Sequence, residues 1–222
     1  MKRFLWVFLG GLIFLAALSS FILFEYRLHD TFSRIRERLI LIASNAAISI
    51  DADEILKIPL VQRSEGIPEY MAVYRKLVKV KESNPSVKYA YIMTTTDQPG
   101  ILQYVVDADP VPEIITAHCP TALPGDKYDA RNLPEMLEAY SGPTADRKIT
   151  TDVWGVFISG YAPIRDASGK AVAILGVDTE AGFVRNMRKD AKLAARIALL
   201  AGLLFLASPL SLIKFSGREG VN

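Results

Sequence analysis

Two stretches of this chain carry no charged residue: 4–24 (FLWVFLGGLIFLAALSSFILF) and 197–213 (IALLAGLLFLASPLSLI). A helix of about 20 apolar residues crosses a bilayer, and roughly 17 is the lower limit. The pattern predicts two membrane spans with one domain's worth of chain between them. It excludes an ordinary cytosolic enzyme, a secreted disulfide scaffold and a multi-span transporter. Cys119 is the single cysteine, so no intrachain disulfide can form.

Lys2 and Arg3 precede the first run, as in a signal sequence or a signal anchor. A cleaved signal has a shorter apolar core and a small-residue cleavage site. Here bulky Phe21, Ile22, Leu23 and Phe24 follow Ala16 and Ala17, which favours an uncleaved anchor. The second run contains Pro209, which a membrane helix tolerates when neighbours satisfy the freed carbonyl. Lys2 and Arg3 argue for a cytoplasmic N-terminus, whereas Arg185, Arg188, Lys189, Lys192 and Arg196 load the domain side of the second run. Long segments translocate largely regardless of charge, and the first helix usually dominates. The expected order is a cytoplasmic start and first span over 1–24, an extracytoplasmic domain over 25–195, a second span over 196–213 and a cytoplasmic tail over 214–222. In bacteria this is an inner-membrane protein. Setting aside Lys2, Arg3, Lys214, Arg218 and Glu219 leaves 22 basic and 23 acidic residues over 25–196, a balance that gives no reason to bind nucleic acid.

Past the first span, Leu28, Phe32, Ile35, Leu39, Ile42 and Ala46 follow heptad spacing on a continuing helix. The seam serves either a homodimer or packing on the chain's own domain. Asp51 and Asp53 suit the cap of a short helix. Pro68 opens a second helix that ends at Asn84-Pro85, with Met71, Tyr74, Leu77 and Val78 on one face. Strands are expected over 87–96, with Tyr89, Tyr91 and Met93 on one side, and over 101–107, joined by the turn DQPG. Residues 108–132 read as a long functional loop. A short helix over 133–140, a brief strand in KITTDV and strands over 154–164 and 170–178 follow, with a helix from Thr179 into the second span. Helices followed by an antiparallel sheet make an α+β domain.

Motifs for nucleophilic, phosphate-binding, dinucleotide-binding or zinc-hydrolase chemistry are absent from the sequence. His118 and Cys119 do not make up a metal site. Asp107, Asp109, Asp126 and Asp129 lack calcium-loop spacing. No enzyme activity, metal or cofactor is expected. The turn DASG is more informative. A three-residue loop with Gly169 left-handed sets Gly160 opposite Gly176 and Ile158 opposite Asp178. The facing glycines then leave a hollow bordered by Asp178 and Trp154, a seat for a cationic amine. A register shifted by one places Asp178 with Ser159 and Tyr161 instead. Alternatively the glycines admit a packed helix, and Asp178 caps the helix from Thr179.

The run WGVFISGYAPIRDASGKAVAILGVD (154–178) resembles the closing hairpin of bacterial Cache (PDC, PAS-like) extracytoplasmic sensor domains. NPSVKYAYIMTTTDQPGILQYVVDADP (84–110) resembles their first hairpin, and ASNAAISIDADEI (43–55) sits where such sensors place it. The resemblance implies a five-stranded antiparallel sheet behind a long N-terminal helix, with a ligand pocket between the sheet and the long loop. It implies receptors such as histidine kinases, diguanylate cyclases and chemoreceptors, and ligands that are amino acids, amines or carboxylates. Asp178 matches the carboxylate that holds an amino group in amine-binding members, and Trp154 and Tyr161 match aromatic positions. With Tyr91, Tyr104 and Asp107 they form the expected ligand-binding set. No equivalent of a carboxylate-binding arginine is evident, although Arg131 and Arg147 are available. Only KFSGREGVN follows the second run, so output is expected through a separate signalling protein, or the chain is a relic of a longer receptor. A ligand-free envelope scaffold that mediates dimer contact is the rival reading.

Overall fold

The computed structural model describes residues 2–61, 64–109, 122–152 and 154–216. About half of the expected long loop, with His118 and Cys119, lies outside the described residues, as does the end of the tail. The chain forms two compact units, one from Ser33–Gly182 and one from the two ends, Met1–Phe32 and Phe183–Asn222.

In the central unit, the C-terminal part of α1 (Lys2–Ile48) leads into α2 (Ala52–Leu56). Asp51 caps α2 by accepting from the Asp53 N–H at 2.9 Å. Then α3 runs over Pro68–Ser83, opened by proline at its first position and ended at Asn84. Its buried face is Tyr70, Val73 and Leu77, rotated from the expected Met71, Tyr74, Leu77 and Val78. Tyr70 and Val73 lie one position before expected face residues, so the helix presents a neighbouring arc of its surface to β1 and β2.

The sheet is antiparallel, in the order β3-β2-β1-β7-β6-β4, with β5 also paired to β6. Its long members are β1 (Tyr89–Thr95), β2 (Ile101–Asp107), β6 (Gly155–Arg165) and β7 (Ala171–Glu180). Three short strands, β3 (Lys127–Asp129), β4 (Thr144–Ala145) and β5 (Thr150–Asp152), bring the total to seven rather than the expected five. Each is two or three residues long, too short to show an alternating pattern in sequence. A single-turn helix, α4 (Pro134–Glu138), precedes β4.

The two faces of the sheet are filled differently. Ala90, Ile92, Ile158 and Val177 are buried with Leu39, Ala43, Ala46 and Ala47 of α1 and with Val73 and Leu77 of α3. Gly160 permits this packing, because a Cβ there would lie 2.5 Å from the Leu39 Cβ. Within this unit, therefore, the α1 stripe covers its own sheet. The opposite face gathers Tyr91, Met93, Tyr104, Tyr161 and Ile174 with Met136 of α4.

In the terminal unit, the first part of α1 accompanies α5 (Gly182–Ser216). Among the described residues one helix, Gly10–Ile48, is long and apolar enough to cross a membrane. The second apolar run lies within α5. The expected helix start at Thr179 is corrected, since β7 continues to Glu180 and α5 begins at Gly182.

Candidate functional site

The last hairpin decides where Asp178 points. The turn forms as its sequence requires: Asp166 N–H donates to the Lys170 carbonyl at 3.0 Å, and Gly169 has φ of +85°. The register then shifts between Ile164 and Arg165, whose partners are Ala173 and Ala171. Val172 is the extra residue of a bulge, and its carbonyl accepts from the Thr94 hydroxyl at 2.8 Å. Beyond the bulge Ser159 faces Asp178 and Tyr161 faces Gly176. The expected pairing of Gly160 with Gly176 is thereby corrected. Gly160 serves the helix face, whereas a Cβ on Gly176 would lie 2.4 Å from the Tyr91 ring. Nor does Asp178 cap a helix, because it sits inside β7.

This register brings all six expected site residues to one cavity. Asp178, Trp154, Tyr161, Tyr91, Tyr104 and Asp107 line it, together with Tyr89, Asp109, Tyr128, Leu133, Met136, Thr150, Asp152, Phe157 and Ser159. Its free volume is about 40 Å³, room for a small polar group rather than an extended ligand. The aromatic walls are mutually packed. Tyr91 meets Tyr104 edge-on at 5.8 Å, and Trp154 lies 6.4 Å from Tyr104 and 6.0 Å from Tyr128.

Asp178 is 7% exposed and has no cationic partner among the described residues. The Tyr91 hydroxyl donates to its Oδ1 at 3.1 Å, and Ser159 adds a second hydrogen bond. Burial nevertheless pushes its pKa up to about 8, against the pull of those bonds, and Asp146 and Asp152 push in the same direction. Burial likewise pushes Asp107 up to about 7, although the Asp109 N–H donates to it at 2.9 Å. Asp109 is paired with Lys81. Asp152 accepts from the Trp154 N–H at 2.9 Å, which fixes the turn carrying the indole.

Behind the cavity wall stands a carboxylate that the sequence reading missed. Asp146 is 2% exposed. It accepts from the Ser159 N–H at 3.0 Å and from the Tyr161 hydroxyl at 3.1 Å. Burial raises its pKa to about 6. Its sequence context, PTADR, reads as an ordinary solvated turn. Tyr89 was legible from the alternation of β1. Tyr128, Asp152 and Ser159 enter through the short strands and the bulged register.

Four carboxylates and no Lys, Arg or His line the cavity among the described residues. Arg131 and Arg147, the available arginines, do not line it. Arg131 pairs with Asp129, and Arg147 pairs with Glu135 and Glu138 at 3.2 and 3.1 Å. Among the described residues no cluster of three potential metal ligands occurs.

No protein-family model matches the chain, and no curated protein matches it. Solved structures similar to it are sensory or ligand-binding domains of chemoreceptors and histidine kinases. The ligand-binding domain of the Campylobacter jejuni chemoreceptor Tlp3 in complex with L-valine is 13% identical, with a TM-score of 0.48 over 82% of this chain and 66% of that one. The V. cholerae histidine kinase DctB sensor domain is 12% identical, with a TM-score of 0.49 over 79% of this chain and 59% of that one. The periplasmic sensory domain of the C. jejuni chemoreceptor Tlp1 is 10% identical, with a TM-score of 0.42 over 75% of this chain and 61% of that one. The chain thus spans just under two thirds of the length of the first of these. At such identities and scores the functional reading rests on the cavity's own chemistry.

Proposed function

We propose that the chain is a membrane-anchored extracytoplasmic sensor of the Cache type, and that its cavity binds the ammonium group of a small amine or amino acid. One observation carries the reading: Asp178 is buried in an aromatic cage lined by four carboxylates and, among the described residues, no basic side chain. A buried carboxylate without a cation is costly, and an ammonium ion supplies the missing charge. Tyr91, Tyr104 and Trp154 offer ring faces and edges beside it, and a cation over such a face gains about 0.5–2 kcal/mol. A carboxylate ligand would find no Lys, Arg or His among the described lining residues, and Lys81 beside the cavity is already paired with Asp109.

Asp178 lies near the end of β7, and α5 begins at Gly182. A ligand that prefers one arrangement of this strand end biases the chain leading into the second apolar run. Such a shift requires different affinities in the two states. The terminal helices are the anchors in this reading, with α1 and α5 each providing a span.

Thermal unfolding of the full chain in detergent, screened against amines, amino acids and small carboxylates, tests the proposal. At 100 times Kd a ligand adds about 2.7 kcal/mol. For a unit of this size that raises Tm by roughly 5–10 °C. Amines should give the shift, and Asp178→Asn should remove it. No shift from any amine, with a cooperative transition intact, favours the ligand-free scaffold.

A further inference from the structure

Helix α5 has two unlike faces before its apolar run begins. At about 100° per residue, Arg185, Arg188, Lys189, Lys192 and Arg196 all fall within an arc of about 100°. Met187, Ala191, Ala194, Ala195 and Ala198 lie outside that arc, where they line a groove with Ala17, Phe21 and Phe24 of α1. Gly202 lies on that same side, and a Cβ there would sit 2.7 Å from the Phe14 ring. Small residues therefore seat α5 against α1, and Lys189, Lys192 and Arg196 are turned away from the partner helix.

The stripe is exposed at Lys189, Lys192 and Arg196. Among the described residues none of these three pairs with a carboxylate. Arg188 is partly occupied, with its guanidinium 5.1 Å above the Phe32 ring. Asp190 is the single acidic residue between Arg185 and Arg196, and it lines the α1 groove. Exposed cations on one face of a helix that continues into an uncharged run are placed to meet anionic groups beside that run.

We propose that Lys189, Lys192 and Arg196 form a docking surface for anionic phospholipid headgroups in the leaflet on the domain side of the second apolar run. The dimensions fit. A headgroup layer is about 5–8 Å deep on each side of the hydrocarbon. Arg196 directly precedes the apolar run, Lys192 stands about 6 Å above it and Lys189 about 10 Å above it, measured along the helix axis. All three side chains are long enough to reach phosphate oxygens at that depth. The surface also accounts for basic residues on a side where topology rules do not favour them. It rests on the reading that α5 enters the bilayer.

The test uses the full chain reconstituted into phosphatidylcholine vesicles that contain either spin-labelled phosphatidylglycerol or spin-labelled phosphatidylcholine. In parallel, Leu200→Cys in a Cys119→Ser background carries a spin label that reports its depth. The labelled site should lie in hydrocarbon, and phosphatidylglycerol should associate at least about three-fold more strongly than phosphatidylcholine. Each basic group near an anionic surface contributes roughly a five-fold factor to association. The triple variant Lys189→Gln, Lys192→Gln, Arg196→Gln should bring the two lipids close to parity, as should high salt. A water-exposed label at position 200 overturns the membrane placement of α5 and this inference with it. A label buried in hydrocarbon, with no phosphatidylglycerol preference or with one that survives the triple variant, overturns the inference alone.

Discussion

Replacing Asp178 with asparagine should make the empty protein more stable at pH 8, although it alters the residue on which ligand binding depends. In the native state Asp178 keeps its proton up to about pH 8. In the unfolded chain an aspartate releases it near pH 4. Between those values the native state binds more protons, so its stability falls as pH rises. Asp107 and Asp146, raised to about 7 and about 6, add slopes of the same sign. Asparagine has nearly the same shape and can still accept from the Tyr91 hydroxyl and from Ser159, but it never ionises. Each pKa unit is worth about 1.4 kcal/mol, so the full displacement sets a ceiling of several kcal/mol. Water entering the cavity relieves part of it, which leaves an expected gain of about 1–3 kcal/mol at pH 8 and almost none at pH 4.5. Urea denaturation at both pH values reads this out, followed by near-ultraviolet circular dichroism of the tyrosine-rich cavity. An asparagine variant less stable than the parent at pH 8, or a parent that gains stability between pH 5 and 8, would refute the electrostatic argument.

Gly160→Ala should destabilise the central unit by about 1–3 kcal/mol in the same assay, because the new Cβ meets the Leu39 backbone of α1 as well as its side chain. Gly176→Ala should instead displace the Tyr91 ring from Asp178 and weaken amine binding about ten-fold or more by calorimetry. Tyr161→Phe removes one of the donors to Asp146. It should cost about 1 kcal/mol, more above pH 6 than below it, because a bond to an ionised carboxylate is the stronger one. Leu77→Ala, under the sheet and away from the cavity, should cost about 2–5 kcal/mol while leaving amine affinity unchanged in the folded protein.

Much of this architecture is legible because local chemistry and tertiary packing agree. Pro68 and Asn84 bracket α3, Asp51 caps α2, and the DQPG turn separates β1 from β2. The cavity residues on long strands were legible for the same reason: Tyr91, Tyr104, Tyr161 and Asp178 each sit in a run whose face is set by its neighbours. The register of the last hairpin was not. Its turn signals place Asp166 against Lys170 correctly, but a bulge at Val172 leaves no mark in composition and moves every later pair by one. That single residue turns two facing glycines into glycines serving opposite faces. Asp146 and Asp152 were hidden for another reason. They belong to strands of two or three residues or the turns beside them, where polar residues look solvated until the sheet covers them.

Isothermal titration of the full chain with a small primary amine and with its carboxylate counterpart, at pH 7 in two buffers of different protonation enthalpy, bears most directly on the claim that this cavity receives a cation. The account predicts saturable heat for the amine alone. It predicts release of up to about one proton per amine as Asp178 ionises beside it, and loss of both signals in Asp178→Asn. Saturable binding of the carboxylate, or amine binding that persists unchanged in Asp178→Asn, would contradict it.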